Sequence, residues 1–345
     1  MRILYLANKT FPTKKANNIQ IVSTCTEIKK IADIKLIAFG DKSKNKHNFE
    51  FVGLSPSKNF ILRELKLIHY TLKNKDSFEG IYTRSLFCSL ILKLFLYNKK
   101  VIYELHDMAQ NRVHKLLLFI GGFLLDKISV ISDGIKKDLV KIISKTNKIV
   151  VIRDATKIVK NGPEYTLPKY EHIITYAGSC SDHKGYPTFV QASKYVQEKN
   201  TVFLVVGSKE NNNDKTSKII NIPYTEHRFM PSIFSQSTIL VLPNSGKETL
   251  SKSHLIAKYY TSPLKLFEYM ASRRPIIASK VPAIEEVLND KNCLFFEPDN
   301  PKDLAKKIDL LLKNKKLQES LSTQAFKDVQ EYTYEKRAEK IIKLF

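Results

Sequence analysis

Short runs of β-branched and aliphatic residues alternate with amphipathic stretches along most of this 345-residue chain. The strand candidates are residues 3–7, 34–38, 80–83, 101–105, 127–131 and 149–152, then 173–176, 202–206, 239–242, 275–278 and 294–296. Strands that alternate with helical periods are typical of α/β folds with parallel sheets. We therefore predict an α/β protein with two doubly wound parallel sheets.

A polar segment separates the two sets of strands. Residues 157–171 are poor in apolar residues and rich in charges, proline and glycine, which is typical of a linker. The chain is long enough for two domains of ordinary size. We predict an N-terminal domain at residues 1–165, a C-terminal domain at 166–325 and a final helical segment at 326–345.

Residues 262–271 (SPLKLFEYMA) predict a helix with an abrupt start. Ser262 would cap it, and Pro263 would take the first helical position. The N–H groups of Leu264 and Lys265 would then point out of the helix start, where an anion is favoured. Glu268 follows one turn later. This pattern suits a nucleotide diphosphate with its ribose at the acid; an ordinary buried helix with a solvated Glu268 is the alternative.

Several common ligand-binding motifs are absent from the sequence. There is no G-x-G-x-x-G, no G-x-x-x-x-G-K-[ST], no Asp-x-Asp and no H-x-x-x-H. These absences argue against a nicotinamide fingerprint, a P-loop, a carboxylate pair for a metal–diphosphate and a catalytic zinc site. The four cysteines form no C-x-x-C pair, which favours a reducing compartment.

The net charge of +23 is concentrated in the first half of the chain. Residues 1–165 contain 30 Lys and Arg against 14 Asp and Glu, and the rest of the chain contains 27 against 20. A basic first half indicates an anionic partner, which could be a membrane surface, a nucleic acid or an acidic glycan, although a Lys-rich composition throughout is the alternative. The apolar run 116–125 is far shorter than a membrane span and predicts a buried helix, with a patch that dips into a membrane surface as the alternative.

Further stretches extend the pattern that starts at residue 262. They are 273–279 (RRPIIAS), 281–287 (VPAIEEV), 292–298 (NCLFFEP), 176–178 (YAG) with 184–185 (KG), 206–207 (VG), 242–244 (LPN), 103–107 (YELHD) and 82–85 (YTRS). Together they resemble glycosyltransferase family 4, most closely over residues 173–298.

The resemblance implies the GT-B fold, in which two Rossmann-like domains face a cleft. It implies an acceptor in the first domain, a nucleotide sugar in the second, and a final helix that crosses back to the first. It also implies retaining sugar transfer with no essential metal or other cofactor. We expect a cytoplasmic enzyme of bacterial capsule or lipopolysaccharide synthesis that acts on a glycan or lipid-linked glycan, at the inner face of the cytoplasmic membrane.

The resemblance also assigns roles to individual residues. Glu268 would hold the ribose hydroxyls, Lys184 the diphosphate, and His106 the donor sugar near the reacting carbon. These three are the catalytic candidates. The further donor-binding candidates are Gly178, Ser179, Tyr224, Asn244, Ser262, Pro263, Leu264 and Lys265. The acceptor-binding candidates are Asn17, Asn18, Gln20 and Arg84.

The sequence departs from the family pattern at three positions. Ser179 replaces a common arginine, Tyr260 replaces a common acid, and Pro263 replaces a common glycine. The compensating candidates are Glu248, His254 and Lys258.

Two other functions are compatible with parts of the sequence. One is a sugar-nucleotide epimerase or a phosphorylase on the same fold, and the other is a non-catalytic, basic nucleic-acid-binding protein. The motifs favour glycosyl transfer, and we expect no nucleic-acid partner, because the basic residues show no regular aromatic interleaving.

Overall fold

The computed structural model describes residues 1–13, 16–41, 47–108, 111–159, 162–208, 218–248 and 251–345. The chain divides into two compact units, one formed by Met1–Ala155 with Tyr334–Phe345 and the other by Thr156–Thr333. Residues 156–165 and 326–333, which the sequence places outside the second domain, therefore group with the second unit. The reason is local, because Thr156 and Thr333 form a parallel β-bridge.

The first unit is built around a parallel sheet. Its strands are β1 (Arg2–Phe11), β2 (Asp33–Gly40), β3 (Glu50–Leu54), β4 (Gly80–Thr83), β5 (Lys100–Leu105), β6 (Lys127–Val130) and β7 (Ile149–Val151). Its helices up to residue 155 are α1 (Ala16–Ile31), α2 (Phe60–Lys73), α3 (Leu86–Phe95), α4 (Arg112–Leu124) and α5 (Asp133–Leu139). The strand order is β3-β2-β1-β4-β5-β6-β7.

The second unit repeats this plan. Its strands are β8 (His172–Ala177), β9 (Thr201–Ser208), β10 (Ile219–Pro223), β11 (Ile239–Leu242), β12 (Ile276–Ser279) and β13 (Leu294–Phe296), in the order β10-β9-β8-β11-β12-β13. Its helices are α6 (Tyr186–Ala192), α7 (Met230–Gln236), α8 (Lys252–Leu255), α9 (Leu264–Ala271), α10 (Pro282–Glu285), α11 (Pro301–Lys313) and α12 (Lys315–Asp328). A π-helical turn, Ile256–Tyr260, follows α8.

The last helix, α13 (Tyr334–Ile342), belongs to the first unit. Its Ala338 and Ile341 join the same buried cluster as Ile21 and Cys25 of α1. This helix is amphipathic because its buried positions recur every three to four residues. The first unit is therefore completed by the end of the chain.

The strand order reverses beside the first strand of each sheet, between β1 and β4 in one and between β8 and β11 in the other. In doubly wound sheets, ligands bind outside the carboxyl ends of the strands at this reversal. Arg84 follows β4 directly, Gly178 follows β8, and Pro243 follows β11. The topology thus places Arg84 and Gly178, two of the predicted site residues, directly after strands that flank these reversals.

The predicted α/β class with two doubly wound parallel sheets is confirmed. Strands β3 and β10 are absent from the sequence prediction. Both lie at a sheet edge, and each buries only one or two of its five side chains. Short, half-exposed edge strands give a weak apolar pattern, which explains why the sequence does not predict them.

Candidate functional site

Helix α9 begins one residue later than the sequence predicts. Pro263 has an extended backbone with ψ of 128° and stands before the helix, and no side-chain hydrogen bond caps it, so the predicted capping role of Ser262 is wrong. The first bond runs from the Leu266 N–H to the Pro263 carbonyl (2.9 Å). The N–H groups of Leu264 and Lys265 precede this bond and point out of the helix start, where an anion is favoured.

The Lys265 ammonium group is enclosed and has no hydrogen-bond partner among the described residues. Its Nζ lies 4.5 Å from the centre of the Tyr176 ring, a cation–π contact. The same atom lies 3.6 Å from the position that a Cβ on Gly178 would take, so it faces the loop after β8. Burial and the nearby charge of Lys184 lower the pKa of Lys265 to about 7. A buried ammonium without a partner is unfavourable, and an anion would relieve that cost.

Lys184 reaches the same strand ends from a separate turn. It ends the 3₁₀ turn Asp182–Lys184, and the next residue, Gly185, has φ of 71°. A Cβ on Gly185 would lie 1.5 Å from the Pro243 carbonyl oxygen, so the close approach of this turn to the loop after β11 requires glycine. Burial lowers the pKa of Lys184, and its charge in turn lowers that of Lys265. The two ammonium groups therefore share one region.

The turn that carries Lys184 is held by ion pairs. Asp182 pairs with Lys247 (3.2 Å) and with His254 (3.0 Å). Glu248 pairs with Lys258 (2.7 Å) on the solvent side. His254, Glu248 and Lys258, which the sequence proposes as compensating groups, thus have partners of their own in this structure.

Glu268 lies one turn beyond Leu264 with 16% of its side chain exposed. Its Oε1 is hydrogen-bonded to Nε2 of His227, in the 3₁₀ turn that precedes α7. Burial alone would lower the pKa of His227, but the hydrogen bond and charge of Glu268 outweigh burial and raise that pKa. No spacing links positions 227 and 268, so the sequence alone does not identify His227.

Three other predicted donor residues lie in different surroundings. Asn244 is buried after β11, where its Nδ2 donates to the Ala257 carbonyl (3.2 Å) and its Oδ1 has no partner among the described residues. Ser179 is exposed, and its carbonyl accepts from the Tyr176 hydroxyl (2.7 Å). Tyr224 directly follows β10 and is 58% exposed.

A buried ionic cluster lies at the strand ends of the first unit. Oε1 of Glu104, on β5, accepts from Arg337 (2.8 Å) and Arg84 (3.0 Å) and is bonded to Nε2 of His106 (2.5 Å). Burial alone would raise the pKa of Glu104, but Arg337, Arg84 and His106 outweigh it and hold that pKa well below its ordinary value. Arg337 also donates to the carbonyl of Ile152 (2.8 Å), the residue after β7, so the cluster joins α13 to β5 and to the end of β7.

The predicted acceptor residues Arg84 and Gln20 belong to this cluster. Arg84 has 7% of its side chain exposed and donates to the Tyr5 hydroxyl (2.8 Å) and to Gln20. Gln20 donates in turn to Asp154, whose pKa is raised by burial. Both side chains are therefore engaged inside the protein.

The remaining predicted residues of the first unit differ in exposure. Asn18 is buried and donates to the Thr10 carbonyl (2.8 Å), whereas Asn17 is exposed. His106 follows β5 and has 28% of its side chain exposed. The structure thus brings His106, Arg84 and Gln20 together, and their acceptor or catalytic roles stay predictions.

Neither a metal cluster nor a spanning helix occurs in the described ranges. Within them, no three His, Cys, Asp or Glu side chains lie together as potential metal ligands. No helix in the same ranges is long and apolar enough to cross a bilayer.

Residues 171–314 match the family model described as Glycosyl transferases group 1. A curated relative from Campylobacter jejuni, N,N'-diacetylbacillosaminyl-diphospho-undecaprenol alpha-1,3-N-acetylgalactosaminyltransferase, is 27% identical over 168 residues. This match covers 47% of the chain and 41% of the relative, so the chain matches less than half of that enzyme's length.

Two solved structures cover nearly the whole chain. A glycosyltransferase from Rickettsia africae has a TM-score of 0.77 at 19% identity, over 99% of this chain and 97% of that one. Anabaena HepE, solved in complex with UDP, has a TM-score of 0.74 at 12% identity, over 99% of each chain. These structural similarities show that the chain has the same fold as the two solved proteins. The match to the family model shows the sequence similarity of residues 171–314 to group 1 glycosyltransferases. Residues 171–314 are therefore similar to the group 1 glycosyltransferases, and the chain has the GT-B fold.

Proposed function

We propose that this protein is a retaining, metal-independent glycosyltransferase that moves a sugar from a nucleotide-sugar donor to a glycan or lipid-linked glycan. The observation that carries this proposal is the enclosed ammonium of Lys265 at the start of α9, which has no hydrogen-bond partner among the described residues and lies in the same region as Lys184. Such a concentration of positive groups is unfavourable by itself, and it becomes favourable when it holds the two charges of a diphosphate ester.

The same positive groups would act in the reaction. When the bond between the sugar and the diphosphate breaks, negative charge grows on the leaving phosphate. Lys184, Lys265 and the N–H groups at the start of α9 are fixed before the reaction, so they stabilise this charge without rearranging. They would thus supply the charge stabilisation for which other enzymes use a metal ion. Lys265 also brings positive charge to the loop of Ser179, where the family commonly has arginine.

Glu268 would accept hydrogen bonds from the ribose hydroxyls of the donor, an arrangement that is strong because the acceptor is charged. His227, bonded to Oε1 of Glu268, orients this carboxylate. We therefore add His227 to the donor-site candidates as a positioning residue.

We assign acceptor binding to the first unit. His106, whose ring is fixed by Glu104, would contact the donor sugar near the reacting carbon, and the departing phosphate would take the proton of the attacking hydroxyl. The basic composition of residues 1–165 favours an anionic or lipid-linked acceptor of bacterial capsule or lipopolysaccharide assembly. The name of the Campylobacter relative, whose acceptor is a diphospho-undecaprenol lipid, supports the lipid-linked class.

A thermal-shift screen with UDP-, GDP-, ADP- and CMP-sugars in the presence of EDTA tests the proposal. Because a ligand that binds only the folded state stabilises it, one of these classes should raise Tm. Lys265→Met should reduce the shift, whereas the exposed control Lys306→Met on α11 should keep it. The anomeric configuration of the product, read by NMR, tests retention.

The proposal fails under two outcomes of this screen. One is that no nucleotide sugar raises Tm in EDTA while one does so with Mg²⁺. The other is that the Lys265 and Lys306 variants respond alike.

A further inference from the structure

Exposed apolar side chains are concentrated on one part of the first unit. Of the 19 large apolar side chains that are exposed in the described residues, 12 lie between Phe60 and Phe123. They are Phe60, Ile61, Leu62, Leu65, Phe87, Leu94, Phe95, Tyr97, Val113, Leu116, Phe119 and Phe123, and we call them the α2–α4 surface. Single exposed apolar residues are ordinary, but a contiguous group marks an interaction surface.

The three helices that carry the α2–α4 surface are neighbours. Helix α2 connects β3 to β4, α3 connects β4 to β5, and α4 connects β5 to β6. These three connections run in the same direction across the sheet, so right-handed crossovers place the three helices on one face of it. Ser85, the cap of α3, donates to Glu64 of α2. A Cβ on Gly121 of α4 would lie 3.6 Å from Leu86 and 3.7 Å from Leu90 of α3.

Helix α4 shows the pattern most clearly. Its exposed Val113, Leu116, Phe119 and Phe123 recur every three to four residues, whereas Leu118, Gly121 and Gly122 are buried. The run 116–125, which the sequence predicts as a buried helix, thus exposes one apolar stripe. Such a stripe is typical of helices that lie in a membrane interface.

The exposed charges on these three helices are positive. Helices α2, α3 and α4 contain a single acidic residue, Glu64, and its side chain is buried. Their basic residues are Arg63, Lys66, Lys73, Lys93, Arg112 and Lys115, of which Lys93 is mostly buried and pairs with Asp126 (2.8 Å). Apolar side chains among basic ones, without an exposed acid, match the interface of an anionic bilayer. A second copy of this chain is a poorer fit, because two such surfaces would repel each other.

We propose that the α2–α4 surface docks this protein on a bilayer that contains anionic phospholipid. The apolar side chains enter the interface between headgroups and acyl chains, and the basic side chains contact the phosphates. This binding does not depend on the nucleotide-sugar site, which lies in the second unit. It would bring the proposed acceptor unit to lipid-linked substrates.

Co-sedimentation of the full chain with phosphatidylglycerol–phosphatidylcholine vesicles, without nucleotide sugar, tests the proposal. We expect binding that weakens with added salt and is lost on pure phosphatidylcholine. Arg112→Glu with Lys115→Glu should weaken binding by at least about tenfold, and Leu116→Ser by about fivefold.

Matched controls lie on the second unit. Lys315→Glu with Lys316→Glu reverses two exposed charges on α12, and Leu310→Ser removes an exposed leucine on α11, where 47% of Leu310 is exposed. Both controls should bind vesicles like the wild type, and all variants should keep the wild-type Tm.

Three results would overturn the proposal. The first is equal binding to neutral and anionic vesicles, and the second is equal loss in the control variants. The third is a lipid-free dimer that Leu116→Ser converts to a monomer, which would assign the surface to a second copy. Loss of nucleotide-sugar binding with intact vesicle binding would instead refute the proposed transfer reaction and support the docking surface.

Discussion

Replacing Lys265 by methionine should stabilise the ligand-free protein and weaken its binding of a diphosphate. Methionine keeps a long apolar side chain but removes an ammonium group whose Nζ is enclosed without a partner. The two effects have opposite signs, because the charge is unfavourable in the folded protein alone and favourable once an anion is bound.

The size of the stability effect follows from the pKa of Lys265, which falls from 10.5 to about 7 on folding. At a pH between these two pKa values, the unfolded chain binds more protons than the folded chain. Lys265 therefore destabilises the fold, and this effect becomes smaller as the pH rises. The variant should therefore gain on the order of 4 kcal/mol in the free energy of unfolding at pH 7, and on the order of 2 kcal/mol at pH 9.

Urea unfolding of both proteins at pH 7 and pH 9, followed by circular dichroism, measures this gain, with the exposed Lys306→Met as the control. Titration calorimetry of the nucleotide sugar in buffers of different ionisation enthalpy adds a second readout. At pH 7 the wild type should take up about half a proton on binding, and Lys265→Arg none, because arginine stays charged. A Lys265→Met variant that is less stable than the wild type, or that gains equally at both pH values, would show that the Lys265 ammonium is not a destabilising buried charge.

Three further substitutions give separate tests. Glu268→Ala should lower sugar transfer by at least about 100-fold with little change in Tm, because it would remove the proposed ribose contact and misposition the donor; near-normal turnover in a radiolabel transfer assay would remove Glu268 from the site. Arg337→Met should destabilise the first unit by about 3–5 kcal/mol in urea unfolding, because Glu104 stays buried with fewer partners; a change below about 0.5 kcal/mol would show that the cluster is not structural. Gly185→Ala should cost more than about 2 kcal/mol in thermal unfolding, because the new Cβ would collide with the Pro243 carbonyl; a wild-type Tm would contradict the close approach.

The sequence predicts the central strands of both sheets because buried parallel strands require nearly continuous apolar runs, such as Ile173–Tyr176 inside β8. Edge strands such as β3 carry little of this signal. The start of α9 is predicted to within one residue, since both Ser262 and Pro263 are compatible with a helix start, and only the extended ψ of Pro263 decides between them.

The candidate site is predicted less completely, because its contacts join distant positions. Glu268 is evident from its place in α9, but His227 lies 41 residues earlier in the chain. Arg337 meets Glu104 across 233 residues. The sequence assigns Lys265 a role through its N–H group alone, and the enclosure of its Nζ depends on Tyr176. Local patterns do not encode such tertiary contacts.

We propose that positive groups at the start of α9 hold a diphosphate without a metal ion. Titration calorimetry of UDP, GDP, ADP and CDP in EDTA, repeated with Lys184→Ala plus Lys265→Met, measures this binding. We expect one of these nucleotides to bind the wild type with one-to-one stoichiometry in EDTA, and the double variant to lose at least about 100-fold in affinity. Binding that requires Mg²⁺, or that survives in the double variant, would exclude metal-free diphosphate binding by these lysines.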